Sequence, residues 1–337
     1  TCVTSGATAT FDTKHIGTGK SVTIAGLTTG GSATLANYTL ASGASSSANI
    51  TTRAITVTAT TGSKAYDGTT SSAGTPTITT GSLATGDSVT WTQTYDTANA
   101  GTGKTLTPAG TVSDGNAGAD YAVTYATVTT GAITPKTLTA TVTTQNRAYD
   151  GTTDGTITGC TLSGVIGTED VTCVTSGATA TFDTKHIGTA KTVTIAGLTT
   201  GGSATLANYT LASGASSSAN ITAKALTVSG LTGTGRVYDG TTTASATGSA
   251  SLVGIVSPDI VTIGGSPTFT FVSANAGVGV SITTTGYTLG GANASDYSIT
   301  QPTLSATITP KTLTATVTTQ NRAYDGTTDG KIGRAHV

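Results

Sequence analysis

The pentapeptide Tyr-Asp-Gly-Thr-Thr begins at Tyr66, Tyr149, Tyr238 and Tyr324, at intervals of 83, 89 and 86 residues. A chain with this pattern is constrained to fold as a series of like pieces. A second marker, Asn or Asp followed by Tyr, keeps the same period at Asn37-Tyr38, Asp120-Tyr121, Asn208-Tyr209 and Asp296-Tyr297. The coils of a solenoid repeat at about 20 to 50 residues, so this longer period predicts small domains in tandem, each able to bury a core of its own.

Thr, Gly, Ala and Ser dominate the chain, and only 9% of residues are charged, against about 25% in an ordinary globular protein. The net charge is -1 and no Lys/Arg cluster occurs, so nothing favours counterion release from a phosphate backbone, and nucleic acid is not an expected partner. No apolar run reaches the roughly 20 residues that span a bilayer, so this segment is not expected to insert in a membrane. A start at Thr1-Cys2-Val3, inside a repeat, is expected of a piece of a longer translated product.

Leu138, Ala140 and Val142 alternate with threonines, as do Ala178, Ala180 and Phe182, and Ala207, Tyr209 and Leu211. A period of two with β-branched Thr on one face is the pattern of half-buried strands. Gly-rich stretches such as Gly201-Gly202 punctuate the runs, and no segment has helical periodicity. The expected fold is all-β: a tandem array of small antiparallel β-sandwiches of immunoglobulin-like, Greek-key type forming an extended rod, with a partly closed barrel as the alternative.

Boundaries fall where an Ile-Thr strand end runs into Lys or Arg: Ile50 to Arg53, Ile133 to Lys136, Ile221 to Lys224 and Ile308 to Lys311. They predict the C-terminal part of one repeat over 1–52, whole repeats over 53–135, 136–223 and 224–310, and the start of another over 311–330. Pro135 and Pro310 lie in the joints without a Gly/Ser run, so the joints are expected to be stiff. Residues 308–330 repeat 133–155 without change, and then Lys331–Val337 resembles nothing earlier. Its back-translation matches a common short-read sequencing adapter, so 331–337 is expected to be read-through rather than protein.

Candidate chemistry is sparse. In Tyr66-Asp67-Gly68, Tyr149-Asp150-Gly151, Tyr238-Asp239-Gly240 and Tyr324-Asp325-Gly326, Tyr reads as a buried anchor, Asp as an acceptor for the backbone two residues on, and Gly as the residue that takes positive φ. A Ca²⁺ loop would need more oxygen ligands than this motif supplies. His15 and His186 sit in Lys-His-Ile-Gly, where other repeats have Asn99 and Asn275, so they read as polar turn residues. Glu169 is the only Glu. With no nucleophile, base and orienting group recurring together, no enzymatic activity, cofactor or metal is expected.

Cys173 stands where other repeats have Trp91 and Ile263, an inward position, and Cys160 lies thirteen residues earlier. A disulfide across a small hairpin is the favoured reading in an exported protein, with two buried thiols as the alternative. Cys2 matches Cys173, and its counterpart would lie upstream of Thr1.

The Lys/Arg-x-Tyr-Asp-Gly-Thr-Thr, Asn/Asp-Tyr and Ile-Thr-x-Lys elements over residues 1–330 resemble the YDG repeats of large bacterial surface proteins, including filamentous-haemagglutinin-like adhesins. The resemblance implies a secreted or surface-displayed extracellular segment without catalysis. It also implies that host glycans or proteins are bound through domains outside this segment. The expected function is a stalk that holds a distal binding domain away from the cell. Binding of glycans or host proteins by the repeats themselves, through exposed Thr, Tyr and Trp91, is the alternative.

Overall fold

The computed structural model describes residues 1–336; Val337, the last residue of the tail expected to be read-through, lies outside them. The protein is all-β. Among the described residues the helical segments are three 3-10 turns, Leu35–Asn37, Leu206–Asn208 and Ala294–Asp296, each ending on the residue before a marker tyrosine. The alternation works as the pattern requires: Lys136–Thr144 buries Leu138 and Val142 and turns Thr137, Thr139 and Thr141 outward.

The chain divides into two compact units, one of residues 1–140, 161–174 and 199–213, the other of 141–160, 175–198 and Gly214 onward. The division therefore runs through residues 136–223 rather than along an Ile-Thr-x-Lys joint.

In the first unit, Arg53–Thr58 is the centre of a three-stranded sheet, between Tyr121–Ala126 and Thr77–Thr80. A four-stranded sheet follows in the order Ser63–Ala65, Val128–Thr134, Gly101–Ala109, Thr92–Tyr95. One core under the first sheet gathers Ile55, Val57, Val112 and Tyr121, with the half-buried Trp91 packed on it. A second core gathers Tyr66, Tyr95, Leu106 and Ile133 together with Leu138 and Tyr209. Leu138 and Tyr209 come from the next repeat, whose Lys136, Thr137 and Leu138 pair with Tyr209, Thr210 and Leu211. The C-terminal sheet of one repeat thus shares its core with the opening strands of its successor.

The second unit has the same parts. A five-stranded sheet runs Arg147–Ala148, Ser216–Thr222, Gly188–Ala196, Thr179–Phe182, Asp154–Gly155. Lys224–Thr234 is the centre of a three-stranded sheet between Ser245–Val253 and Tyr297–Thr300. Arg236–Val237, Thr303–Thr309, Gly277–Gly290 and Thr262–Phe271 complete a four-stranded sheet over Phe271, Ile282, Ala306 and Ile308. Beyond them Thr316–Thr319 pairs antiparallel with Ile332–His336.

The expected purely antiparallel sheets are corrected by the register. Tyr121–Ala126 runs parallel to Arg53–Thr58, and Val128–Thr134 parallel to Ser63–Ala65. In the second unit Tyr297–Thr300 is parallel to Lys224–Thr227, and Arg236–Val237 to Ile308–Thr309. A parallel pair needs a crossover of a dozen residues or more. Here it is the whole interior of the repeat, so the segment that opens a repeat and the one that closes it pass side by side from one sheet to the next. Alternation within each strand could not reveal this, because the pattern is the same for either pairing.

Candidate functional site: the joint between repeats

Each Tyr-Asp-Gly motif makes a tight turn closed by a cation. Asp67 Oδ1 accepts from the Thr69 backbone N–H at 2.9 Å, and Asp150, Asp239 and Asp325 do the same with Thr152, Thr241 and Thr327. Gly68, Gly151, Gly240 and Gly326 all have φ between 75° and 84°, the left-handed region a Cβ disfavours. Lys64, Arg147, Arg236 and Arg322, two residues before each Tyr, pair with the turn aspartates. Three of these cations also lie over a ring of their own repeat: Lys64 over Tyr95 at 5.6 Å, Arg147 over Phe182 at 5.2 Å and Arg236 over Phe271 at 5.4 Å. The Lys64 ammonium hydrogen bond holds Asp67 down to about 2, and the Arg236 guanidinium does the same for Asp239.

Tyr66 and Tyr149 are buried against the following repeat, whereas Tyr238 and Tyr324, expected to be buried anchors as well, are 40% and 97% exposed. Tyr66, 5% exposed, packs edge-to-face on Tyr209 of the following repeat with centroids 5.4 Å apart. Both hydroxyls donate to one carboxylate: Tyr66 to Glu169 Oε1 at 2.6 Å and Tyr209 to Glu169 Oε2 at 2.8 Å. In the second unit Tyr149 meets Tyr297 at 5.3 Å, and both donate to Asp259 Oδ2, at 2.8 and 2.7 Å. Where residues 1–52 meet 53–135, Tyr121 donates at 2.7 Å to Asp87 of its own repeat, and Lys14 lies 3.4 Å from the same carboxylate. In all three places the second tyrosine's oxygen also accepts a backbone N–H, from Ala84, Ile166 or Val256. The two markers that kept time in the sequence are therefore the two halves of one joint.

Beside the tyrosines lies a second contact. His15 Nδ1–H donates to Asp120 Oδ2 at 2.6 Å, and His186 Nδ1–H to Asp296 Oδ2 at 2.7 Å. At the joint between them in sequence, Asn208 Nδ2 donates to Asn99 Oδ1 at 3.1 Å. Asn208 and Asp296 are each 1% exposed. The reading of His15 and His186 as turn residues missed these partners, which lie 105 and 110 residues away. The usable signal was that each Lys-His pair is followed, one repeat later, by Asp-Tyr, and Ala98-Asn99 by Asn-Tyr.

The YDG domain model matches residues 1–47, 51–130, 134–218 and 222–304, most of the chain. The chain belongs to the YDG domain family. No curated protein matches it. Every joint described above lies between neighbouring YDG domains: Tyr66 is in the second match, Glu169 and Tyr209 in the third, Asp259 and Tyr297 in the fourth. Among the described residues, no group of three or more His, Cys, Asp or Glu of these domains is placed to hold a metal ion. Among the described residues, no helix is long and apolar enough to cross a membrane.

The joints should titrate at both ends of the pH scale, the first through Asp120 and the second through Tyr66. The His15 hydrogen bond brings Asp120 down to about 2, and the Glu169 hydrogen bond raises Tyr66 to about 12. A depressed carboxylate stabilises the fold fully above its unfolded value near 3.8 and loses that contribution as pH falls toward 2. A raised phenol stabilises below about 10 and loses its contribution as pH rises toward 12. Unfolding free energy followed by circular dichroism is expected to fall over these two windows. Asp120→Asn should flatten the acid limb and Tyr66→Phe the alkaline limb.

Proposed function

We propose that this chain is a non-catalytic repeat stalk of a secreted or surface-displayed bacterial adhesin, holding a distal binding domain away from the cell. The observation that carries this reading is the recurrent joint. Within each unit, successive YDG domains share buried tyrosines on one carboxylate, so a domain cannot swing without breaking its neighbour's contacts. A stalk needs that property, and a set of independent binding modules on flexible tethers does not.

The aromatic side chains support the same reading. Trp91, the single Trp, packs edge-to-face on Tyr125 at 6.2 Å against the core. Tyr66, Tyr149, Tyr209 and Tyr297 are buried in joints. A sugar platform formed by these rings would require taking the joints apart. On this reading host glycans or proteins meet other domains, and localisation is extracellular, at the bacterial surface.

Solution scattering of the whole chain, and of a version lengthened by one further repeat, tests the proposal. An elongated particle growing by about 35 to 40 Å per repeat is expected, from strands of roughly ten residues at about 3.4 Å rise. A particle that gains a repeat without gaining length would overturn the stalk. Millimolar or tighter binding of a glycan by the chain itself would put the alternative, repeats that carry the binding site, in its place.

A further inference from the structure

The three joints are not chemically alike, and their differences are matched on the two sides. At each joint one side-chain oxygen of the residue before the second tyrosine accepts a backbone N–H of the preceding domain: Ile16 to Asp120 at 2.9 Å, Ala100 to Asn208 at 2.8 Å, Ile187 to Asp296 at 3.1 Å. The other end of that side chain varies. It is a carboxylate oxygen where the preceding domain presents a His, and an amide NH₂ where it presents the acceptor oxygen of Asn99.

The neighbouring position follows the same rule. The His joints also carry a lysine, Lys14 at 3.4 Å from Asp87 and Lys185 at 3.7 Å from Asp259. The Asn joint has Ala98 there, and its tyrosines share Glu169. One kind of joint thus sets Lys-His against two aspartates, and the other sets Ala-Asn against one glutamate and an amide.

We propose that this matched pair selects which YDG domain can follow which, so that the trailing face of a domain accepts a successor of its own joint type and rejects the other. A His facing Asn208 would have to turn to its Nδ1-acceptor tautomer to take the amide N–H, since a ring carrying Nδ1–H would set donor against donor. An Ala-Asn pair facing Asp296 would keep an amide donor for that carboxylate but take Lys185 away from Asp259, whose side chain is buried. One mismatch removes a buried carboxylate's lysine and the other forces a ring tautomer, and both belong to the disfavouring half of specificity. The half-buried Ala274, the exposed Asn275 and the 40%-exposed Tyr238 form a trailing face of the Ala-Asn type. Its partner is a YDG domain whose marker reads Asn-Tyr, as at residues 37–38 and 208–209, and not Asp-Tyr.

The test is a double-mutant cycle in the full chain, read as hydrogen exchange of the Ile187 and Val256 amides. Asp296→Asn and His186→Asn are each expected to speed exchange about tenfold, and the double variant, which rebuilds the Asn–Asn pair, to return within about threefold of the parent. Additive effects, or no effect of either single change, would overturn the proposal.

A second measurement covers a variant that does not fold. A copy of residues 136–223 or of 224–310 is inserted after Pro310, and nitration of Tyr238 is followed by mass spectrometry. Protection of about fivefold or more by the Asn-Tyr copy alone is expected; equal protection by both copies, or by neither, would overturn the selection rule. Neither readout depends on particle shape, so this result and the stalk reading stand or fall separately.

Discussion

Tyr66→Ala is expected to destabilise the first unit by about 3 to 5 kcal/mol, the usual cost of deleting a large aromatic side chain from a core. The ring packs among Tyr95, Leu106, Ile133 and Leu138, and its hydroxyl is one of the two tyrosine donors to Glu169. Tyr66→Phe keeps the packing and removes one charge-assisted bond, so about 1.5 to 3 kcal/mol is expected. Denaturant melts of the whole chain, with Tyr324→Ala as control, check this. Tyr324 carries the same motif at 97% exposure, and its loss should change stability by less than about 0.5 kcal/mol. Equal effects at the two positions would show that the motif works as a turn alone and not as a joint.

Joining Cys160 to Cys173 is expected to contribute about 3 kcal/mol, the chain-entropy value for a loop of roughly 15 residues. The two residues lie on strands Ile157–Ser163 and Thr172–Val174. Cys2 is exposed and free. Mass spectrometry under oxidising conditions should therefore find one alkylatable thiol, at Cys2, and a Cys160→Ser/Cys173→Ser variant should lose close to the stated stability. Three alkylatable thiols would rule the bond out.

The all-β fold was legible because alternation of Thr with Leu, Val and Ile leaves no other way to bury an apolar face, and the repeat was legible from Tyr66 and its copies. The parallel pairing was not, since Arg53 and Tyr121 are partners only once the chain between them has closed. The joint was half legible. Both markers stood out, but each was assigned to its own domain, and nothing local to Tyr66 says that its acceptor, Glu169, is 103 residues away. The basic residue before each motif was visible as part of the pattern, while its placement over Tyr95, Phe182 or Phe271 depends on a strand that arrives later in the chain.

The parallel ribbons have a mechanical consequence. In the repeat that begins at Arg53, the chain enters along Arg53–Thr58 and leaves along Val128–Thr134, and its opening and closing segments lie side by side in the same direction. Tension applied at the two ends pulls these neighbours past one another along their length. The cross-strand hydrogen bonds between Arg53–Thr58 and Tyr121–Ala126 are then loaded together instead of being peeled off singly from one end. Such a repeat is expected to give way only when a whole row of bonds fails at once.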